Sequence, residues 1–390
     1  MKLKSFYRAA AVCAIATGLT FVATGPAAAD PAAATTVAGA GSDTTQDVLD
    51  ALAKSIGEPL MGSWNAIGGA ALITPKNTTG CTNVSRPNGS SAGVAALRRS
   101  LSGTGSYPTT SATYAGTNPV PLGALCFDFA RSSSGPGGNA SPTGLLQYVP
   151  FGLDGVTVAV GPSSGADATA IRGSFTLTQL RTMYSQGLPQ VGSDGATYDP
   201  NPADGTTGTA VHLKIPQAGS GTRSFFSSVM GISSSNPPTW VSDMFTPTAG
   251  GTAQSVQEHD GTAVRLDHNA LMPYSTAVWI AQATGHNDRR DGAVLQTING
   301  VAPISGGKLN TAFPGDLLRE VYNVIPFAAT TPGSNLYDIF VSTSQFSPVR
   351  LCNKTALITE YGFGLLDGVN TPHTCGEIDS ALRAFDSTQF

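Results

Sequence analysis

The chain has 390 residues, a formal net charge of −4, and only 12% charged side chains beside 46 glycines and 26 prolines. Lysine is scarce and no basic run occurs, which argues against nucleic acid or an anionic membrane surface as partner. An anionic ligand would have to be captured by local geometry, not by a global field.

In chain order, Lys2, Lys4 and Arg8 precede an apolar stretch from Ala9 to Val22, too short for a normal membrane span, and Ala27-Ala28-Ala29 follows. Basic, apolar and small-residue regions in that order predict a signal peptide over residues 1–29, cleaved near Ala29. The product is then secreted and extracytoplasmic. Val12 stands before Cys13 where a lipoprotein signal needs a small residue, so no lipid anchor is expected. The remaining length exceeds one ordinary core, and two lobes are expected. Cys81, Cys126, Cys352 and Cys375 survive cleavage, an even count that suggests disulfides in an exported chain. Three connectivities are open; Cys81–Cys126 and Cys352–Cys375 are favoured because they close the shorter loops. No cysteine or histidine spacing suggests zinc, and no metal or cofactor is expected.

"GAGSDTT" at 39–45 leads into an amphipathic helix with Val48, Leu49, Leu52, Ala53 and Ile56 on one face. Asp43 and Thr44 suit its N-cap. Residues 98–118 are rich in Ser, Thr and Gly and read as a loop. "CFDFARSSSGPGG" reads as a strand and then a turn bearing Arg131, Ser132, Ser133 and Ser134. "YVPFGLDGVTVAV" reads as a buried strand pair, or one strand broken at Gly155. "TLTQLRTMYSQG" is a short helix ended by Gly187. Residues 187–208 and 231–262 read as long surface loops. Between them "VHLKI" alternates as a half-buried strand, "AGSGT" turns, and Phe225, Phe226, Val229 and Met230 mark a helix. "ALMPYSTAVWIAQ", "PGDLLREVYNVIP" and "TALITEYGFGLL" are later packed elements. Strands alternate with helices, which makes the class α/β.

Three segments thus share a strand followed by a turn of Gly, Ser and Thr, two of them continuing into a helix. Hydroxyls and helix N-terminal amides supply the donors a dehydrated oxyanion needs without much net charge. Other chemistry has weaker signals. "GPSSG" at 161–165 matches the nucleophile elbow of serine hydrolases around Ser163, but "ADATAIRGSF" makes a poor following helix. "EHD" at 258–260 and "DH" at 267–268 could be drawn as a metal site, but no i, i+4 histidine pair supports it, and these side chains are expected to be solvated.

Taken in order, "GAGSDTT", "FDFARSSS" and "AGSGTRSFF" resemble the three ligand loops of the phosphate-binding protein of phosphate ABC transporters, a class II periplasmic-type solute-binding protein family. "VPFGLDGVTVAV" resembles its first interlobe crossing, "FTLTQLRTMYSQG" its Leu-Thr-x-x-Gln-Leu helix, and "QTINGVAPI" and "LLREVYNVI" its returning segments. The resemblance implies a two-lobe periplasmic-binding-protein-like fold with the ligand in the cleft: lobe one at 38–154 plus 274–390, lobe two at 155–273. It implies a non-enzymatic monomer that captures inorganic phosphate, or a similar tetrahedral oxyanion, for an ABC permease. By position, Ser42, Asp43 and Thr44, then Arg131, Ser132 and Ser133, then Ser220, Gly221, Thr222 and Arg223 would bind the anion. Ser133 stands where relatives often carry an Asp that accepts the phosphate proton, which leaves Asp43 as the nearest candidate for that acceptor. Pro216 and Ala218 replace an Arg and an Asp found in some members. The alternatives are a secreted phosphate scavenger without a transporter and, behind it, a serine hydrolase or phosphatase.

Overall fold

The computed structural model describes residues 30–162, 171–205, 207–247 and 250–390. The expected signal over 1–29 and Ser163 of the elbow-like motif lie outside the described residues. Helices are α1 (Gln46–Ile56), α2 (Ser90–Leu101), α3 (Leu177–Gln186), α4 (Gly221–Met230), α5 (Thr262–Leu266), α6 (Thr276–Ala283) and α7 (Thr355–Glu360). None is long and apolar enough to cross a membrane.

One ten-stranded sheet runs through the molecule, eight strands in the order Val241–Ser242, His212–Lys214, Ala270–Ser275, Leu146–Val160, Leu318–Pro326, Phe129–Ser132, Val37–Gly41, Met61–Ser63, with Val294–Leu295 and Arg383–Ala384 pairing with Leu146–Val160 off this path. Its two ends are parallel, as strand–helix–strand units require. Its middle is antiparallel, where Leu146–Val160 pairs with Leu318–Pro326 on one side and Ala270–Ser275 on the other. The first of these strands is a single, wholly buried element of 15 residues. It is neither a strand pair nor broken at Gly155. A Cβ there would stand 2.9 Å from Leu309 Cδ1 and 3.2 Å from Thr276 Oγ1, so that glycine serves close packing, not a turn.

Two apolar cores flank this centre. Val37, Leu49, Phe129, Phe151, Val321 and Phe340 belong to one; Val158, Leu180, Leu213, Phe226 and Leu271 belong to the other. The first core binds α1 through its apolar face, and the second binds α3 and α4. The molecule is therefore two α/β lobes sharing antiparallel crossing strands. Within the stretch 274–390, Ile298, Phe313 and Leu317 pack into the second core, and Val294–Leu295 pairs with the second-lobe half of the long strand.

Gly187 closes α3 as read, at φ 68°, and at the other end Thr176 and Gln179 form a reciprocal capping box. Elsewhere the loops carry more structure than expected. Residues 98–101 complete α2, and short strands at Gln190–Val191, Thr197–Asp199, Val241–Ser242, Met244–Phe245 and Gln254–Ser255 stiffen the long loops. Cys81 pairs with Cys126 and Cys352 with Cys375, closing 45 and 23 residues of chain. Replacing either pair by alanine should cost about 2–4 kcal/mol, the longer loop slightly more. Urea unfolding of the two double variants checks this.

Candidate functional site

The turns before α1 and α4 meet the start of α2 at the junction of the lobes. Ser42 Oγ donates to Ser133 Oγ at 3.0 Å, Ser90 Oγ lies 3.3 Å from the same atom, and Ser133 N donates to Ser90 Oγ at 3.0 Å. Gly221, the first residue of α4, closes the cluster from the second lobe: a Cβ there would collide with Oγ of both Ser90 and Ser133. Alongside, Thr44 Oγ1 and Thr222 Oγ1 stand 3.2 Å apart across the interlobe boundary. All six residues are buried. Three helices of ten to twelve residues thus aim their positive ends at one set of hydroxyls, which is anion-binding geometry without a dense cationic field.

Charge enters from the crossing strands. Arg319 and Asp154 are register partners on the two long strands, and Arg319 donates to Asp154 Oδ2 from Nε at 3.1 Å and from Nη2 at 2.9 Å. The same Nη2 reaches Thr222 Oγ1 at 2.9 Å and Thr44 Oγ1 at 3.3 Å. Nη1 is buried without a partner. Thr44 and Thr222 in turn donate to Glu258 Oε2 at 3.1 and 3.2 Å, while Glu258 Oε1 is buried and unpartnered. A guanidinium nitrogen and a carboxylate oxygen, both unsatisfied, therefore bracket the threonine pair. Buried polar atoms are normally paired, so these two mark where a ligand's acceptor and donor would be accommodated.

Several expected ligands stand elsewhere. Asp43 is not a helix cap: Thr45 occupies that position, with no side-chain cap bond. Its carboxylate is bound by Arg289 Nη2 at 2.9 and 3.2 Å and lies 3.1 Å from His259 Nδ1. Burial would raise the Asp43 carboxyl, but the Arg289 charge and the His259 hydrogen bond outweigh it and hold it below its ordinary value. Both oxygens are thus engaged by the side chains of Arg289 and His259. Arg131 points under the first loop, donating from Nε to Ser42 O at 3.1 Å and from Nη1 to Ser63 Oγ and Trp64 O. It fixes the backbone that presents Ser42. Arg223 is turned away from the hydroxyls into an ion pair with Asp243 at 2.6 Å and bonds to Pro216 O and Ser234 O. Ser220 caps α4 through Arg223 N at 2.9 Å, and Ser132 donates to Ser134 O. Of the ten expected residues, Ser42, Thr44, Ser133, Gly221 and Thr222 are brought together, and the other five support them.

Ser90, Glu258, His259, Arg289, Arg319 and Asp154 complete the site and were not expected there. The "EHD" segment is not solvated: Glu258 and His259 are 1% and 0% exposed. Tyr274 Oη and Gln282 Nε2 hold the segment inward by donating to His259 O at 2.8 and 3.0 Å. The one signal available was Arg319 inside the apolar strand "LLREVYNVI", since arginine is rarely buried unless paired. Asp43, Glu258 and His259 each place a ligating atom within 4.8 Å of the others, and Arg289 already holds both Asp43 oxygens.

The chain is similar in structure to an ABC-type phosphate transport receptor from Vibrio cholerae, at 15% identity with 84% of this chain and 98% of that chain covered and a TM-score of 0.44. It is similar also to a phosphate-binding protein from Stenotrophomonas maltophilia, at 14% identity, 86% and 92% coverage and a TM-score of 0.40. A third likeness is to PstS from Borrelia burgdorferi, at 12% identity, 84% and 97% coverage and a TM-score of 0.38. No protein-family model matches the sequence, and no curated protein matches it.

Two stability measurements follow from the buried charges. Asp154→Ala leaves Arg319 buried without its counter-ion and should cost about 3–5 kcal/mol; adding Arg319→Met should recover most of that, read by urea unfolding of single and double variants. Asp43 has a folded value below its ordinary 3.8, so its stabilisation is complete above about pH 4 and is lost as the pH falls below it. Asp43→Asn should flatten the fall in stability over that acidic range, as thermal melts at stepped pH will show.

Proposed function

We propose that the chain binds inorganic phosphate, or a closely similar tetrahedral oxyanion, between its lobes and delivers it to an ABC permease outside the cytoplasm. The observation that carries this reading is the convergence of Ser42, Thr44, Ser90, Ser133 and Thr222 hydroxyls at three helix N-termini beside the unpartnered Nη1 of Arg319. Five hydroxyls, amides and one guanidinium match an acceptor-rich anion. The resemblance of the three sequence loops to the ligand loops of phosphate-binding proteins supports delivery to a permease and the secreted location. Binding without turnover is favoured by the partners of these hydroxyls, which among the described residues are one another, backbone groups, Glu258 and Arg319 and include no histidine. The moving bodies are best drawn as 38–154 with the C-terminal region, and 155–273 with 294–317 added on the strength of its packing.

Glu258 takes the discriminating role first considered for Asp43. Near neutral pH phosphate keeps a proton and sulfate does not, so the unpartnered Oε1 of Glu258 accepts a hydrogen bond from hydrogen phosphate and repels the sulfate dianion in a dry site. Calorimetric titration of both anions is the deciding experiment. Wild type should prefer phosphate, and Glu258→Gln should shift the phosphate-to-sulfate ratio toward sulfate by roughly 10–100-fold, the worth of a charged hydrogen bond of about 1.5–3 kcal/mol. A wild-type protein that binds neither anion would overturn the reading.

A further inference from the structure

A cavity of about 780 Å³ lies between the lobes beside the hydroxyl cluster. Its size falls in the range of roughly 300–1,000 Å³ used for whole small molecules, well beyond what one tetrahedral anion fills. Ser90 belongs to both places: it lines the cavity, and its Oγ lies 3.3 Å from Ser133 Oγ in the cluster. The cavity therefore begins one hydroxyl away from the anion position. One wall is the first turn of α2 with Ser91, and the facing wall is the outer side of α4 with Ser224, Phe225 and Ser228. At the far end Arg98 stacks on Phe385 with its Cζ 4.3 Å from the ring centroid. Its Nε is buried and unpartnered. A second cavity of about 370 Å³ shares Phe225 with the first and reaches Arg319. Space thus passes Phe225 on both sides, from the guanidinium of the anion site to that of Arg98.

We propose that the cleft also takes phosphate monoesters of small polyols or sugars, with the phosphoryl group among the Ser42, Ser133 and Thr222 hydroxyls and the organic group in the cavity. The idea rests on the phosphate reading of the cluster and extends it. A monoester keeps three unsubstituted phosphoryl oxygens, enough for the donors from both lobes, and its fourth oxygen leads the chain past Ser90. The lining suits a polyol: serine hydroxyls meet its hydroxyls, and the Phe225 and Phe385 rings meet its C–H faces.

The test is titration of the full mature chain with inorganic phosphate, glycerol 3-phosphate and glucose 6-phosphate, in wild type, Ser228→Trp and Ser91→Phe. Ser228 and Ser91 are exposed residues on opposite walls, so the larger side chains fill the cavity without entering either core, and two variants guard against one failing to fold. Wild type should bind phosphate and at least one ester, and each variant should weaken the ester by about tenfold or more while leaving phosphate within about twofold. Phosphate binding without ester binding in wild type overturns the proposal and leaves the phosphate reading standing. Equal loss of phosphate and ester in both variants overturns the assignment of the organic group to this cavity. Ester binding without phosphate binding overturns the inorganic-phosphate reading alone, and absence of all three overturns both.

Discussion

The arrangement depends on one buried ion pair. Asp154 and Arg319 face each other across the two long strands, and three of the segments passing between the lobes are tied to them. Asp154 Oδ1 accepts from Ser275 Oγ at 2.7 Å and from Ala277 N at 3.0 Å, which anchors the third connection at the start of α6. Arg319 extends from the pair to one threonine of each lobe. Desolvating two charges is expensive unless the remaining lone pairs and protons are satisfied. Here the carboxylate is fully satisfied by a guanidinium, a hydroxyl and a helix N-terminal amide, and the guanidinium keeps one nitrogen in hand. That residue of unused donor capacity lies at the boundary where the lobes part, which couples the scaffold to the site.

Around this pair the chain builds the proposed anion site with little net charge. Arg319 is neutralised by Asp154, and Arg289 by Asp43; the five hydroxyls are neutral, and Glu258 is the one carboxylate facing them without a cation of its own. Such a site attracts an anion weakly from afar, since the molecule is acidic overall, and holds it strongly once dehydrated, because hydrogen bonds gain in a low dielectric. Selectivity then follows from which lone pairs and protons the ligand brings.

Much of this was legible in the sequence where function resides in the backbone. "GAGSDTT", "FARSSS" and "AGSGTRSFF" mark the three presenting loops because small hydroxyl residues in a turn after a strand, twice with glycine before a helix, leave little else for the chain to do. The disulfides followed from loop length. Side-chain direction was not legible. Arg131 and Arg223 adjoin hydroxyl turns in sequence, yet strand alternation sends the Arg131 guanidinium to the backbone beneath the first loop, and helix phase sends that of Arg223 to Asp243. Glu258 and His259 sit in a polar stretch resembling solvated loop, and they are buried under Tyr274 from the strand Ala270–Ser275 and Gln282 from α6. Arg319 came closest to being readable, as a charge beside Glu320 inside a mostly apolar strand.

The contact of Gly221 with Ser90 and Ser133 has a kinetic side. Across the same boundary, Ser91 N donates to Gly219 O at 3.1 Å and Asn88 exchanges side-chain hydrogen bonds with Gln257 and Gln217. The lobes therefore fit each other with the hydroxyls satisfied mutually, so a ligand meets a shut door in this conformation. Capture from it waits on spontaneous parting of the lobes, and the apparent affinity is lowered by the fraction of molecules that are shut. Association in that regime levels off at the opening rate as ligand concentration rises. The tightness of an empty seal, set by a glycine and a few serines, thus governs how fast the cleft samples its surroundings.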